Sequence, residues 1–271
     1  MKFSIIGSGN IAWFFGKRIA AAGHKCVGVY GRNEVAAKEL ADALLSGRCG
    51  NISELRDGDA DVCFLAVSDS AISKVAPMLS LKQTILVHMA GAMEMDIIKN
   101  AASDCAVLWP VYSITRLNPP AHRESPIAWE ASSDRAKKYV LEMAHAVTDN
   151  LFEAKNDQRK WLHLSAVMTN NFINHLLAIN EKICVEHNVP VSALQPLIHQ
   201  TFERIKQSSP SSLQTGPAIR GDEATINQHI TLLEKYPPIQ KVYESLTKSI
   251  QAMDEAVKIK GKPKKGEAEK S

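Results

Sequence analysis

Residues 4–13 read SIIGSGNIAW: an apolar run breaks at two glycines and then becomes apolar again. The segment GSGNIA, residues 7–12, fits the pattern G-x-G-x-x-G/A, in which a strand passes into a helix beneath the pyrophosphate of a dinucleotide. The first glycine permits the tight turn, the second lets phosphate oxygens approach the backbone, and the last small residue lets the helix pack on the sheet. The alternative is a glycine turn kept only for packing, and the rest of the chain decides between the two.

Short apolar runs alternate with helical stretches from Phe3 to about residue 150. Such runs, rich in β-branched residues and apolar on both faces, are typical of a parallel sheet covered by helices. The runs are KFSIIG, KCVGVYG, ADVCFLAVSD, QTILVHMAG and CAVLWPVYS, and the predicted helices are residues 10–22, residues 34–45, SAISKVAPML and MEMDIIKNAA. The alternation predicts an α/β fold, a doubly wound Rossmann-type domain over residues 1–152, whose ligands bind beyond the carboxyl ends of the strands.

In this context the glycine turn favours dinucleotide binding, with the phosphates held by free N–H groups at the start of the first helix. The residues expected around the phosphates are Gly7, Ser8, Gly9, Asn10 and Ile11. Small residues at two later strand ends are expected to line the rest of the cleft, namely Ala66, Val67, Ser68, Ala90 and Gly91. Core packing is an equally good interpretation of Val67, and of Trp109 after the next strand.

The end of the second strand distinguishes between two cofactors. An NAD site usually has an acidic residue there to accept hydrogen bonds from the ribose, whereas this chain reads VYGRN, with no acid before Glu34. The guanidinium of Arg32 is a planar, permanently charged donor that suits a 2′-phosphate. Arg32, assisted by Asn33, therefore predicts NADP(H); the alternative is a solvated loop arginine.

The pattern becomes helical after about residue 153. Residues 157–188 contain no glycine or proline, and Asn188 and Pro190 end this long helix. Further helices are predicted at residues 192–207, 223–236 and 238–258. Four helices predict an all-α bundle over residues 153–258.

The long helix carries polar residues on an otherwise apolar face. At about 100° per residue, Asn170 and Asn174 fall within roughly 20° of His163, with Asn171 beside them and His175 further round. One interpretation is a row of hydrogen-bonding groups that face the cofactor cleft, with His175 or His163 as the acid/base and Asn171 and Asn174 orienting the substrate. The alternative is a polar contact between helices or subunits.

A loop reading LQTGPAIRGD, residues 213–222, interrupts the helical half. Arg220 in this loop could bind a carboxylate or phosphate of the substrate. A salt bridge with Asp222, or a helix cap, explains it equally well.

Both halves together resemble a known family. The N-terminal half is similar to pyrroline-5-carboxylate reductase and to the deazaflavin-dependent NADP oxidoreductases. The C-terminal half resembles the domain-of-unknown-function family 2520, through RKWLHLSAV, NFINH and TGPAIRGD. The resemblance implies an NADP(H)-binding domain, a helical domain like that of 6-phosphogluconate-dehydrogenase-like enzymes, and a homodimer. The chain departs from the pattern at WPVYSIT and at Ala90, where the family usually has polar groups near the nicotinamide.

Charge and composition exclude several classes of partner. The last 14 residues hold six Lys and two Glu, so the rest of the chain carries −1 of the net charge of +3. A near-neutral body argues against nucleic acid, and residues 259–271 are predicted to be a disordered basic tail. The five scattered cysteines argue against disulfides and against a metal site. With no apolar run long enough for a membrane and no secretory signal, the expected location is the cytoplasm.

These observations favour an NADP(H)-dependent oxidoreductase that transfers a hydride to or from a small polar carbonyl, imine or alcohol. The alternative is a sensor or scaffold dimer that binds NADP(H) without catalysis. A structural dimer with an empty cleft ranks last.

Overall fold

The computed structural model describes residues 1–117, 119–120, 123 and 125–260. Residues 261–271, most of the predicted basic tail, lie outside this range. The chain divides into two compact units, Met1–Ile173 and Asn174–Ser271. The division falls later than the predicted one at residue 152, because the first part of the long helical stretch belongs to the α/β unit.

The first unit is built on one sheet of eight strands in the order β3-β2-β1-β4-β5-β6-β7-β8. All neighbouring strands are parallel except β7, which is antiparallel to β6. The strands are β1 (Lys2–Ile6), β2 (Lys25–Tyr30), β3 (Cys49–Gly50), β4 (Val62–Leu65), β5 (Ile85–His88), β6 (Cys105–Pro110), β7 (Ile127–Ala131) and β8 (Leu151–Glu153). The chain order reverses at β1, where one half of the sheet runs towards β3 and the other towards β8, so the predicted doubly wound fold is confirmed.

Helices cover both faces of this sheet. They are α1 (Asn10–Ala21), α2 (Glu34–Ala43), α3 (Asp69–Val75), α4 (Asp134–His145) and α5 (Asn156–Ala166), with short 3-10 turns at Ile52–Glu54, Ala76–Met78 and Met95–Ile98. All four residues of β4 are at most 1% exposed, because one cluster of apolar side chains packs on each side of the strand. The uninterrupted apolar runs of the sequence are thus explained by burial on both faces.

The helix predicted at MEMDIIKNAA is wrong and is replaced by the 3-10 turn Met95–Ile98. The residues that would extend this helix form backbone hydrogen bonds with Leu81 instead. Leu81 donates its N–H to Ala101 O (2.8 Å) and accepts from Ser103 N (2.9 Å). These bonds pull residues 101–103 out of helical geometry and lead the chain into β6.

The single long helix predicted after residue 156 is also not regular. α5 passes at Val167–Phe172 into a π-helix and then into α6 (Ile173–Glu186). In a π-helix each N–H bonds to the fifth residue back, so the chain turns less per residue than in an α-helix. The 100° spacing used to align His163 with Asn174 therefore does not hold across this segment.

The second unit is helical, as predicted. After α6 it contains α7 (Gln195–Ile205), α8 (Pro217–Arg220), α9 (Glu223–Leu232) and α10 (Pro237–Lys260), with 3-10 turns at Val191–Leu194 and Pro210–Leu213. Between residues 174 and 254 only Cys184, Ala218 and Ile226 are buried. Within the part of the chain that the structure describes, no helix is both long and apolar enough to cross a membrane.

Candidate functional site

The turn after β1 leaves no room for a side chain at its first glycine. Gly7 has φ +115°, and a Cβ there would lie 2.2 Å from Ala66 O at the end of β4. Its N–H donates to Tyr30 O at the end of β2 (2.8 Å), so the turn is fixed to both neighbouring strands. Only glycine satisfies this geometry, and packing alone is sufficient to explain it.

The second glycine is explained differently. Gly9 has an ordinary φ of −79°, and a Cβ placed on it would meet nothing within 4 Å. It precedes α1, whose N-terminus has no side-chain cap. Ser8, Asn10 and Ile11 beside it are exposed or half-buried. Open space over uncapped helix amides, at the positive end of the helix dipole, suits the phosphates of a dinucleotide.

Arg32 and Asn33, which follow β2, differ in whether their side chains already have a partner among the described residues. Arg32 is exposed and takes part in no hydrogen bond or ion pair with the described residues. Asn33 accepts a hydrogen bond from Ala36 N (3.1 Å) and is the N-cap of α2. The guanidinium of Arg32 is available to an anion, whereas the side-chain oxygen of Asn33 is already used.

The predicted residues at two other strand ends lie at the same edge of the sheet. Ala66 follows β4 and is buried, with its N–H donating to Ile6 O (2.8 Å). Val67 is half-buried, and Ser68 is exposed at the start of α3. Ala90 follows β5 and donates its N–H to His88 Nδ1 (3.3 Å). Small groups at the carboxyl ends of such strands suit the close approach of a flat ring.

Gly91 lies at this edge of the sheet and is in contact with Trp109. A Cβ on Gly91 would lie 2.3 Å from Cε2 of Trp109, so the indole of Trp109 packs directly on the Gly91 backbone. Trp109 also makes an edge-to-face contact with His163, with the ring centroids 5.6 Å apart. One side chain therefore contacts both the cofactor edge and the helix that carries His163.

A cavity of about 490 Å³ opens at this point, between the end of β6 and the helical segment α5 to Phe172. Its lining includes two of the predicted catalytic residues, His163 and Asn171, with Asn170 beside them. The lining residues are 109–113, Leu162, His163, Ser165, Ala166, Val167, Thr169, Asn170 and Asn171. Several of them belong to the π-helix, a rare geometry that is frequent at functional sites.

The other predicted catalytic residues belong to the second unit. Asn174 lines a separate cavity there, next to Leu177 and Ile198, and His175 is exposed. Arg220 is exposed at the end of α8 and makes no ion pair with Asp222. Their proposed roles stay predictions.

Asp222 is the N-cap of α9. It accepts hydrogen bonds from Thr225 N (3.1 Å) and Thr225 Oγ1 (2.8 Å). These bonds lower the pKa of Asp222, and the charge of Arg220 contributes to the shift. Asp222 is thus used as a helix cap, and the role of Arg220 stays a prediction.

A buried ionic cluster that no sequence pattern indicated joins α5 to the sheet. Arg159 on α5 is fully buried and is paired with Glu130 of β7. It also donates to the carbonyl oxygens of Ala154 and Met93, both at 3.0 Å. This cluster fixes the position of α5 on the sheet. Arg159 itself lies in the quoted motif RKWLHLSAV, but no sequence signal identified Glu130 as its partner.

His88 lies near this cluster at the end of β5. Burial lowers the pKa of His88 to about 4, and the neighbouring Arg159 charge adds to the shift. His88 is thus neutral at pH 7, and since Nδ1 accepts from Ala90, the proton is on Nε2. The backbone of Glu94 acts in the opposite direction and raises the pKa of His88. Among the described residues, however, Nε2 has no partner in hydrogen-bonding geometry.

Buried polar atoms without a hydrogen-bond partner are concentrated around His88 and along α5. Among the described residues, the buried side-chain N and O atoms without a partner are His88 Nε2, Asn156 Oδ1, Arg159 Nε and His163 Nδ1. Three of them follow each other at intervals of three and four residues along one face of α5. Buried polar groups without partners in the protein are normally satisfied by water or a ligand. Of these three α5 residues only His163 also lines the cavity, so His163 is the strongest candidate for a functional group in the first unit.

Two family models match the chain. The model for coenzyme F420-dependent NADP oxidoreductases matches residues 2–91, and that for the domain of unknown function DUF2520 matches residues 125–250. Together they cover most of both units, but residues 92–124, which include β6, match neither model. No curated protein matches the chain.

Several solved structures match nearly the whole chain. The chain is similar to a "putative NADP oxidoreductase" from Bacteroides fragilis at 30% identity, over 93% of this chain and 98% of that chain, with a TM-score of 0.84. A protein from Thermotoga maritima is 21% identical, over 94% and 99% of the two chains, with a TM-score of 0.71. The 1-pyrroline-5-carboxylate reductase of Streptococcus pyogenes is 15% identical, over 93% and 98%, with a TM-score of 0.60. The last two likenesses concern the fold alone.

Proposed function

The chain belongs to the family of NADP oxidoreductases that carry the DUF2520 domain behind their nucleotide-binding domain, and on that premise we propose that it transfers a hydride between NADP(H) and a small polar carbonyl, imine or alcohol. The observation that carries the proposal is the position of Trp109. It contacts Gly91 at the expected cofactor edge and lines the cavity that contains His163. A substrate in this cavity would lie next to the nicotinamide.

The cofactor is NADP(H), and the residues of this chain fit it. The uncapped N-terminus of α1 and the open space at Gly9 suit the diphosphate. The guanidinium of Arg32, which has no partner among the described residues, suits the 2′-phosphate. When bound, the nicotinamide supplies or accepts the hydride, and the protein provides orientation and hydrogen bonds.

His163 is the residue that we propose as the acid/base. In the direction of reduction, the substrate carbon gains the hydride, and the substrate oxygen or nitrogen gains a proton from the imidazole. Imidazoles suit this task because they exchange protons near neutral pH. Asn171, with Asn170 next to it on the cavity wall, would hold the oxygen or nitrogen in place. His175, Asn174 and Arg220 are the further candidates from the second unit.

Arg32→Ala is expected to weaken NADPH binding by about 10- to 100-fold, the loss that corresponds to charge-assisted hydrogen bonds of roughly 1.5–3 kcal/mol. NADH affinity should change little, because NADH lacks the 2′-phosphate. The measurement is titration of nicotinamide fluorescence with protein. Lys38→Ala, which removes an exposed charge from α2, is the matched control. Equal losses for both nucleotides, or an equal loss in the control, would remove Arg32 from the cofactor site.

The reaction itself is tested by following NADPH absorbance with aldehydes, ketones, cyclic imines and hydroxy acids. Turnover that depends on His163 supports the proposal. Tight NADPH binding without turnover of any of these classes would favour the alternative of a non-catalytic sensor or scaffold.

We also propose that the chain forms a homodimer through its second unit. The support is that this unit buries almost nothing by itself, while α7 exposes Leu197, Phe202 and Ile205 at 59%, 40% and 43%. Apolar surface of this kind, in a helical unit with so few buried residues, resembles a core divided between two subunits.

One chain has a mass of 29.7 kDa. Sedimentation of the full chain is expected to give twice that mass. Phe202→Asp should weaken association by about tenfold or more, since a buried charge in an apolar interface removes on the order of 1.4 kcal/mol or more. Gln200→Asp, an exposed change on the same helix, should have no such effect. A monomer at micromolar concentration would contradict the proposal.

A further inference from the structure

We infer that the cavity beside Trp109 selects an uncharged substrate, one that carries hydroxyl, carbonyl or imine groups but no carboxylate or phosphate. The inference rests on the proposed function, because it describes what the hydride donor would reduce. Its basis is the charge of the cavity and of the cations nearest to it.

Among the residues that the structure describes, the cavity wall carries no charged side chain. Thirteen of them line it, and none of these is Lys, Arg, Asp or Glu. Its polar groups are hydroxyls, amides and one imidazole, such as those of Tyr112, Ser113, Asn170 and His163. The rest of the lining is apolar or aromatic. Such a wall offers hydrogen bonds and a ring face, both of which suit a neutral polar molecule.

The two cations nearest on the helical side are already paired. Arg159, one turn before His163, is fully buried, pairs with Glu130 and donates to two backbone carbonyls. Lys160 is half exposed and makes an ion pair with Glu94 (2.7 Å), which raises the pKa of Lys160 and lowers that of Glu94. Neither is available to a ligand without losing a carboxylate partner.

The cation nearest on the strand side is also engaged. Arg116, three residues after Ser113, lies 3.7 Å over the ring of Trp13 and pairs with Glu39 at 3.7 Å. It therefore lies against α1 and α2. Each of these three cations of the first unit is thus paired with an acidic residue.

An anionic group in this cavity would lose hydration without gaining a counter-charge. Desolvation of an unpaired carboxylate costs several kcal/mol, whereas an uncharged carbonyl is compensated by one or two hydrogen bonds. Selectivity for the uncharged member of a matched pair is thus expected to reach at least about 10-fold to 100-fold in kcat/KM.

Two matched pairs test this with the full-length protein and NADPH at one pH, about 7.5, at which both carboxylates are ionised. The pairs are 1-pyrroline with 1-pyrroline-2-carboxylate, and hydroxyacetone with hydroxypyruvate. We expect kcat/KM to be at least about tenfold higher for the uncharged member of each pair. A preference for either carboxylate overturns the inference.

Asn170→Lys, which puts a cation into the cavity wall, should shift the preference towards the carboxylate by about tenfold or more. The control is Asp157→Asn, which changes the net charge by the same +1 on α5 but does not line the cavity. An equal shift in the control would mean that the general field of the protein, and not the cavity wall, sets the preference.

Failure of the inference and failure of the proposed function remain distinguishable. If no compound of either pair is reduced, their binding is measured by quenching of Trp109 fluorescence, with Trp109→Phe as the blank. Binding of the uncharged members alone keeps the inference while the proposed reaction fails for these classes. Stronger binding of the anions, or binding of none of the four compounds, overturns it.

Discussion

Gly7→Ala is expected to destabilise the protein by about 3 kcal/mol or more and to abolish tight NADPH binding. Two effects combine at this position. The positive φ of +115° is strained for alanine, and its Cβ would overlap the Ala66 carbonyl at 2.2 Å. Overlap with backbone cannot be relieved by a rotamer change, so the turn must move away from β4. Chemical denaturation and NADPH fluorescence measure the two losses.

Gly9→Ala is the matched comparison. Its φ of −79° is ordinary and the site of the new methyl is empty, so stability should change by less than about 1 kcal/mol. NADPH binding should still fall, by about tenfold or more, because the methyl occupies the space through which phosphate oxygens approach the amides. If Gly9→Ala left NADPH binding intact, the diphosphate would not lie on this turn. If Gly7→Ala were as stable as the natural chain, the contact with Ala66 would not constrain the fold.

His163→Gln is expected to lower kcat by about 10²- to 10⁴-fold, the usual contribution of a positioned acid/base. Glutamine keeps hydrogen bonding but cannot exchange a proton near neutral pH. NADPH affinity should stay within about twofold, because His163 contacts Trp109 and lines the cavity without belonging to the turn after β1. Steady-state kinetics with the best substrate, combined with NADPH titration, separates the two quantities.

Two histidines of the second unit complete this experiment. His199→Gln changes an exposed side chain and should leave kcat unchanged. His175→Gln tests the other acid/base candidate of the sequence analysis. If kcat fell with His175→Gln and not with His163→Gln, the acid/base would belong to the second unit, and the cavity beside Trp109 would lose its proposed role.

The sheet of the first unit was predictable because its signals are local. The ten residues SIIGSGNIAW specify the end of a strand, a turn and the start of a helix, and buried parallel strands are apolar on both faces. The edge formed by β7, α4 and β8 was not assigned from the sequence. β7 runs antiparallel to β6 and has a half-buried end, Glu130–Ala131, so its pattern is less distinct.

The candidate site was predictable only in part, for a physical reason. The polar residues on the helix after residue 156 were found by their spacing, and His163 and Asn171 do share a cavity. The spacing assumed a regular α-helix, and the π-helix at Val167–Phe172 changes the direction of every residue beyond it. No local propensity signals that change.

Long-range pairs were the other limit. Arg159 and Glu130 are 29 residues apart and meet because β7 lies beside β6 under α5. The contact of Trp109 with Gly91 likewise depends on the packing of two strand ends. The sequence placed Trp109 at the end of a strand, with the cofactor cleft and core packing as equally good interpretations. Contacts of this kind follow from topology and cannot be derived from the local sequence.

The contact between Gly91 and Trp109 constrains how this protein can evolve. An indole that rests on bare backbone excludes every side chain at position 91, so a mutation there is tolerated only after position 109 has become smaller. Substitutions at the two positions must therefore arise in a fixed order. The order matters for function too, since the first step enlarges the pocket and changes which molecules it admits.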